Sequence, residues 1–179
     1  MALQLTPELT ERLAQVRLVA LDVDGTLTDG SVIYGDDGQE VRFDVRDGQG
    51  MVWLVRELSL ELAWITGRGC LAVERRAAEL GVKHLEMHSG PKAEVLRSLQ
   101  ERLGVTPAET LAMGDDLPDL GLASRAGIFC APADAREEVR AAATWVTDSP
   151  GGRGALREVA EELLRARGCW EDLVSRARK

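Results

Sequence analysis

Leu18-Val19-Ala20-Leu21 is an unbroken apolar run that turns abruptly polar at Asp22, Asp24 and Gly25. Such a run suits a strand covered on both faces, as at the centre of a parallel sheet. Thr6-Pro7 followed by Glu8 to Ala14 predicts a short capped helix before it. Beyond it, Met51, Leu54, Val55 and Leu58 share one face of a helix for which Asp47 is the expected cap. Glu61 to Ile65 predicts a strand, Leu71 to Leu80 a helix closed by Gly81, and Val82 to Met87 a strand. Pro91 opens a helix with Val95, Leu96, Leu99 and Leu103 as its buried stripe and Gly104 as its stop. Strands follow at Thr110 to Met113, Gly127 to Cys130 and Trp145 to Thr147, alternating with helices at Leu120 to Arg125 and Arg136 to Ala143. Pro150 to Gly154 breaks the pattern before a helix from Ala155 to Arg167.

Strands alternating with helices predict an α/β, Rossmann-like three-layer fold with a mainly parallel central sheet and right-handed crossovers. One segment departs from the alternation. Ser31 to Tyr34, the turn Gly35-Asp36-Asp37-Gly38, and Gln39 to Phe43 read as a β-hairpin inserted after the first strand. A lone hairpin is marginal in water, so this one must lean on its own domain or on a neighbouring subunit. The 179 residues suffice for one domain with a sizeable core and are tight for two. The expectation is a single domain over 1–179, with a hairpin at 31–43 and a C-terminal helix and tail at 150–179.

Hydrophobic residues at 45% and charged residues at 29% are ordinary for a soluble globular protein. The net charge of −8 argues against nucleic-acid binding and against an anionic membrane surface. An anionic substrate must therefore be drawn in locally. No apolar run approaches the ~18 residues of a membrane span, and residues 1–17 lack the pattern of a secretory signal. Cys70, Cys130 and Cys169 are odd in number and widely spaced, which gives no disulfide framework and points to the cytoplasm.

The candidate chemistry lies at the predicted strand ends. Asp22 and Asp24, two positions apart, can face one way from a strand end, and two crowded carboxylates call for a cation or a shared proton. Hard oxygen donors suit Mg²⁺. A parallel sheet brings Asp22 and Asp24, Thr66, Lys92, and Asp115, Asp116 and Asp119 to one edge. There a carboxylate can attack a phosphate, a step opposed by repulsion of about 4 kcal/mol at about 4 Å and an effective dielectric of about 20. A divalent ion and one lysine outweigh that. His84 and His88 have no metal-ligand spacing, and Trp53 and Trp64 read as core or interface residues.

Asp22-x-Asp24-Gly25-Thr26, then Thr66, then Lys92, then Gly114-Asp115-Asp116-x-x-Asp119 resemble, in order, the motifs of the haloacid dehalogenase-like phosphatases. The resemblance implies that Asp22 is the nucleophile and a Mg²⁺ ligand. Asp24 would bind Mg²⁺ through its carbonyl and serve as general acid, then general base. Thr66 and Lys92 would hold the phosphoryl oxygens, Asp115 would complete the metal site, Asp116 and Asp119 would orient waters or Lys92, and Thr26 would support the loop. With too little sequence between motifs for a cap domain, the resemblance narrows to a cap-less subfamily. Asp29-Gly30, 38–43, Asp47-Gly48-Gln49-Gly50, Thr66-Gly67-Arg68, Asp134-Ala135 and 151–158 carry it. That subfamily implies a cytoplasmic homotetramer with a central hairpin barrel, and a C-terminal segment able to reach a neighbour's site. Its small-molecule substrate would be an eight-carbon sugar-acid phosphate of lipopolysaccharide assembly, bound partly by Gly67, Arg68 and Arg42. A nine-carbon analogue, a broader phosphatase, or a catalytically silent binding module are the alternatives. The intact acid set argues against the last. Gln39, Arg42 and Cys70 stand where the subfamily tends to have Glu, Lys and Ser, and they bear on the sugar end of the substrate.

Overall fold

The computed structural model describes residues 6–36 and 38–178. Strand β1 (Leu18–Leu21) is followed by the hairpin strands β2 (Ile33–Gly35) and β3 (Gly38–Glu40). Then come β4 (Glu61–Ile65), β5 (His84–Glu86), β6 (Thr110–Met113), β7 (Ile128–Ala131) and β8 (Trp145–Val146). Six of these form one sheet in the order β5-β4-β1-β6-β7-β8, every neighbour parallel. All four residues of β1 are buried, as expected of an apolar run at the centre of a covered sheet.

Alternation along the strands divides the core into two layers. Val19, Leu21, Leu62, Trp64, Leu111 and Met113 pack against α1 (Pro7–Ala14), α2 (Val45–Leu58), α3 (Leu71–Leu80), α7 (Ala155–Ala166) and α8 (Trp170–Ala177). Leu18, Ala20, Ala63, Ile65, Ala112 and Phe129 pack against α4 (Lys92–Leu103), α5 (Leu120–Ala123) and α6 (Glu137–Ala142). The architecture is α/β, three-layered and mainly parallel.

Three local expectations are corrected. The cap of α2 is Asp44, whose carboxylate accepts the Arg46 N–H at 2.6 Å. Asp47 lies inside the first turn of α2, buried, and faces the start of α7. The hairpin is shorter than its sequence pattern, because among the described residues 31–32 and 41–43 pair with no strand. Helix α8 follows α7 after a break at Gly168 and packs back on its own chain. There Trp170 sits edge-on to Trp53 at 6.0 Å and Arg176 pairs with Glu57 at 2.7 Å. Trp64 is fully buried and stacks on Phe43 at 5.7 Å.

Candidate active site

Chain order reverses across β1, whose neighbours β4 and β6 run on to opposite edges of the sheet, so a crevice opens at its carboxyl end. Asp22 is still in the ladder there, its N–H donating to the Met113 carbonyl at 3.0 Å. The backbone then bends sharply at Gly25, φ +97°, where a Cβ would overlap the Asp115 carboxylate. Thr28 Oγ1 ties the loop by accepting the N–H groups of Gly25 at 3.2 Å and Gly30 at 3.3 Å. Thr26 Oγ1 donates to Asp115 Oδ1 at 3.0 Å, which joins this loop to the one after β6.

Lys92, the first residue of α4, lies between two carboxylates. Its Nζ is 2.5 Å from Asp22 Oδ1 and 2.6 Å from Asp119 Oδ1, and the side chain is 8% exposed. The other oxygen of Asp119 accepts the N–H groups of Asp115 at 2.9 Å and Asp116 at 3.1 Å. Thr66, at the end of β4, donates from Oγ1 to Asp24 Oδ2 at 2.9 Å and accepts the Arg68 N–H at 3.0 Å. Arg68 Nε lies 4.0 Å from Asp24 Oδ1.

Asp22, Asp24, Thr66, Gly67, Arg68, Lys92, Asp116 and Asp119 thus border one cleft of about 360 Å³. Ser89, Gly90, Pro91 and Pro118 complete its wall. Nothing in the residue types of Ser89 and Gly90 marks them as site residues; only their place three and two positions before Lys92 does. Arg42 is exposed and does not border the cleft.

Two carboxylates here share one ammonium, and a third, that of Asp115, lies close to both. Burial, then the charge of Asp119, raises the Asp22 carboxyl well above the usual range, against the pull of Lys92. Burial pushes Asp115 up to about 6, opposed by the Thr26 hydroxyl. Burial disfavours the charge on Lys92, but Asp22 and Asp119 outweigh it and hold the ammonium charged.

Asp22, Asp115 and Asp119 each offer an oxygen within 4.8 Å of one another. Asp119 already has both oxygens engaged, and Asp22 Oδ2 is buried without a hydrogen-bond partner among the described residues. An unpartnered oxygen among crowded hard donors fits a divalent cation such as Mg²⁺. The Asp24 side chain stands outside this cluster, turned to Thr66.

Residues 82–157 match the haloacid dehalogenase-like hydrolase family. Over 164 residues the chain is 39% identical to the 3-deoxy-D-manno-octulosonate 8-phosphate phosphatase of Salmonella typhimurium, covering 91% of this chain and 87% of that protein. It is also similar to the crystal structure of the Moraxella catarrhalis phosphatase of that name in complex with a magnesium ion, a phosphate ion and a KDO molecule. There the TM-score is 0.91 at 35% identity, covering 96% of this chain and 98% of the other. The cobalt-bound Haemophilus influenzae phosphatase aligns with a TM-score of 0.84 at 34% identity, covering 89% of this chain and 93% of that one.

Proposed function

Because the chain belongs to the 3-deoxy-D-manno-octulosonate 8-phosphate phosphatase family of haloacid dehalogenase-like hydrolases, we propose that it hydrolyses that eight-carbon sugar-acid phosphate. It is a Mg²⁺-dependent phosphomonoesterase. The observation that carries the reading is Lys92 held between Asp22 and Asp119 with Asp22 Oδ2 left unpartnered among the described residues.

In the proposed reaction an Asp22 oxygen attacks phosphorus. The Asp22–phosphorus bond forms as the bond from phosphorus to the sugar oxygen breaks, and Asp24 gives a proton to the departing alkoxide. Asp24 then takes a proton from a water that attacks the same phosphorus, the bond to Asp22 breaks, and phosphate leaves. Thr66 and Lys92 hold the phosphoryl oxygens, and Asp119 keeps Lys92 aimed. Asp116 orients water at the mouth, while Gly67 and Arg68 meet the sugar acid, the guanidinium gripping its carboxylate. Asp22, Asp115 and the Asp24 carbonyl would hold Mg²⁺, whose charge would let a carboxylate approach an anionic ester.

The proposed assembly is a homotetramer in the cytoplasm, joined through the hairpins, with 1–179 as one hydrolase domain. In support, Tyr34 is 80% exposed on β2 and the strands β2 and β3 pair only with each other among the described residues. Cys70, Cys130 and Cys169 are all free thiols, which suits a reducing compartment. Arg42 belongs to the same proposal, reaching sugar across a subunit boundary.

Phosphate release from the eight-carbon acid phosphate and from its nine-carbon analogue, with and without EDTA, tests this reading. The expected result is Mg²⁺-dependent release with preference for the eight-carbon compound. Preference for the nine-carbon analogue would reassign the substrate, and release from neither would overturn the assignment.

A further inference from the structure

The Ser149–Gly154 turn does not border the cleft, yet it is packed against the loop that carries the nucleophile. Gly151 lies so close to the Gly25 carbonyl that a Cβ there would overlap it. Gly152 is pressed equally against Thr28 and Asp29, and its N–H donates to the Thr26 carbonyl at 2.9 Å. On its other flank Gly25 has no room for a Cβ beside the Asp115 carboxylate, and the Thr26 hydroxyl donates to Asp115 Oδ1 at 3.0 Å. Two routes therefore lead from the turn to one carboxylate. The first runs by contact through Gly25, the second by hydrogen bonds through Thr26.

Three acids hold the turn in place. Asp47 of α2 is 1% exposed and accepts the N–H groups of Gly154 at 3.1 Å and Arg157 at 2.8 Å. Asp134 accepts the Gly151 N–H at 2.9 Å, and Glu158 accepts those of Asp148 and Ser149, each at 2.8 Å. A buried carboxylate is costly, and α2 has its cap in Asp44 already. The bonds of Asp47 go to the first turn of α7, where unpaired N–H groups and the helix dipole accommodate a negative charge.

We propose that the Ser149–Gly154 turn, clamped by Asp47, is a positioning element for the metal ligand Asp115 and thereby sets the Mg²⁺ affinity of the site. The proposal rests on the phosphatase reading above. Gly151→Ala forces the turn and the loop apart. Asp47→Asn keeps the shape of the side chain but can no longer accept both N–H groups with a full charge.

Titration calorimetry with MgCl₂, melting in EDTA, and phosphate release at varied Mg²⁺ compare both variants with the wild type. In each, the Mg²⁺ dissociation constant is expected to rise about tenfold or more, as for the loss of other groups that orient metal ligands. Half-saturating Mg²⁺ for turnover rises in parallel, while KM for the sugar phosphate at saturating Mg²⁺ stays within about twofold, because substrate contacts are untouched. A lowered melting temperature with unchanged Mg²⁺ affinity would reduce the turn to packing and overturn the proposal. Should Gly151→Ala not fold, Asp47→Asn decides between the same two outcomes. A wild type that binds no Mg²⁺ overturns both readings; a wild type that binds and turns over beside unaltered variants overturns only the role of the turn.

Discussion

Asp22 combines two demands that conflict in the metal-free protein. As the proposed nucleophile it must be buried to exclude water from the reacting phosphate, and it must stay anionic to attack. Lys92 relieves only part of the conflict, since Asp119 draws on the same ammonium and Asp115 adds a further negative charge. Asp22→Asn is therefore expected to lower Mg²⁺-dependent release at least about a thousandfold. In EDTA it should raise the melting temperature slightly, the trade between activity and stability that strained sites show. Release near the wild-type rate would end the nucleophile assignment. Asp115 carries a pH prediction. Its carboxyl is raised from 3.8 to about 6 in the folded chain, so the folded state holds this proton more tightly than the unfolded one. That contribution to stability is present below the usual carboxylate range and is lost as pH rises through about 6. Protons and Mg²⁺ compete for the same oxygens, so the rise in melting temperature given by Mg²⁺ over EDTA should grow between pH 5 and pH 7, values that bracket that carboxyl at about 6. A constant rise across that range would count against Asp115 as a ligand. The acids themselves were readable in the sequence, because a parallel sheet collects strand ends. How the oxygens of Asp119 divide between Lys92 and two amides was not, because that depends on where α4 begins in space.

At the scale of elements, what was legible was what depends on neighbours in sequence. The β1 run, the stripe of α4 and the stops at Gly81 and Gly104 need only local pattern. Asp44 and Asp47 are both good caps by spacing, and the choice between them is made by Gly154 and Arg157, which lie more than a hundred positions away. The hairpin is short because its outer residues find no partner strand among the described residues, a fact no periodicity encodes. Helix α8 escaped because it is a single short amphipathic segment beyond Gly168, held by long-range contacts. Trp170 lies against Trp53, Arg165 sits over Trp170 at 4.7 Å, and Leu173 is buried. The resemblance implies a C-terminal segment able to reach a neighbour's site; within one chain, α8 lies on its own α2. Ending the chain after Gly168 should therefore lower stability by about 2 to 4 kcal/mol through lost aromatic and leucine burial. KM for the sugar phosphate should not change. A raised KM with an unchanged melting temperature would instead place the tail in catalysis. Ending it after Asp148 removes α7 as well, the most extensive helix partner of α2, and is expected to prevent folding.

At the scale of the whole molecule, a net charge of −8 repels anionic substrates except where Lys92 and Arg68 face them. The cleft is open, and among the described residues no cap closes over it. Phosphoryl chemistry gains from excluding water, and in the proposed tetramer a neighbouring subunit supplies the closure. The hairpin is the candidate element, since it presents Tyr34 and Val32 to solvent and packs too little surface to hold its shape unaided. Tyr34→Glu places a charge on that face without touching the cleft. Light scattering coupled to size exclusion should then show a smaller species with unchanged circular dichroism. Turnover of the sugar phosphate, measured as kcat/KM, should fall about tenfold or more, while release from a small aryl phosphate changes by less than about threefold. In the proposed assembly only the larger substrate extends far enough to meet a neighbouring subunit, which is why the two rates should part. If the assembly dissociates and both substrates are turned over as before, the hairpin serves cohesion alone and the cleft is complete within one chain. If both rates fall together, the assembly supports the catalytic loop rather than the sugar.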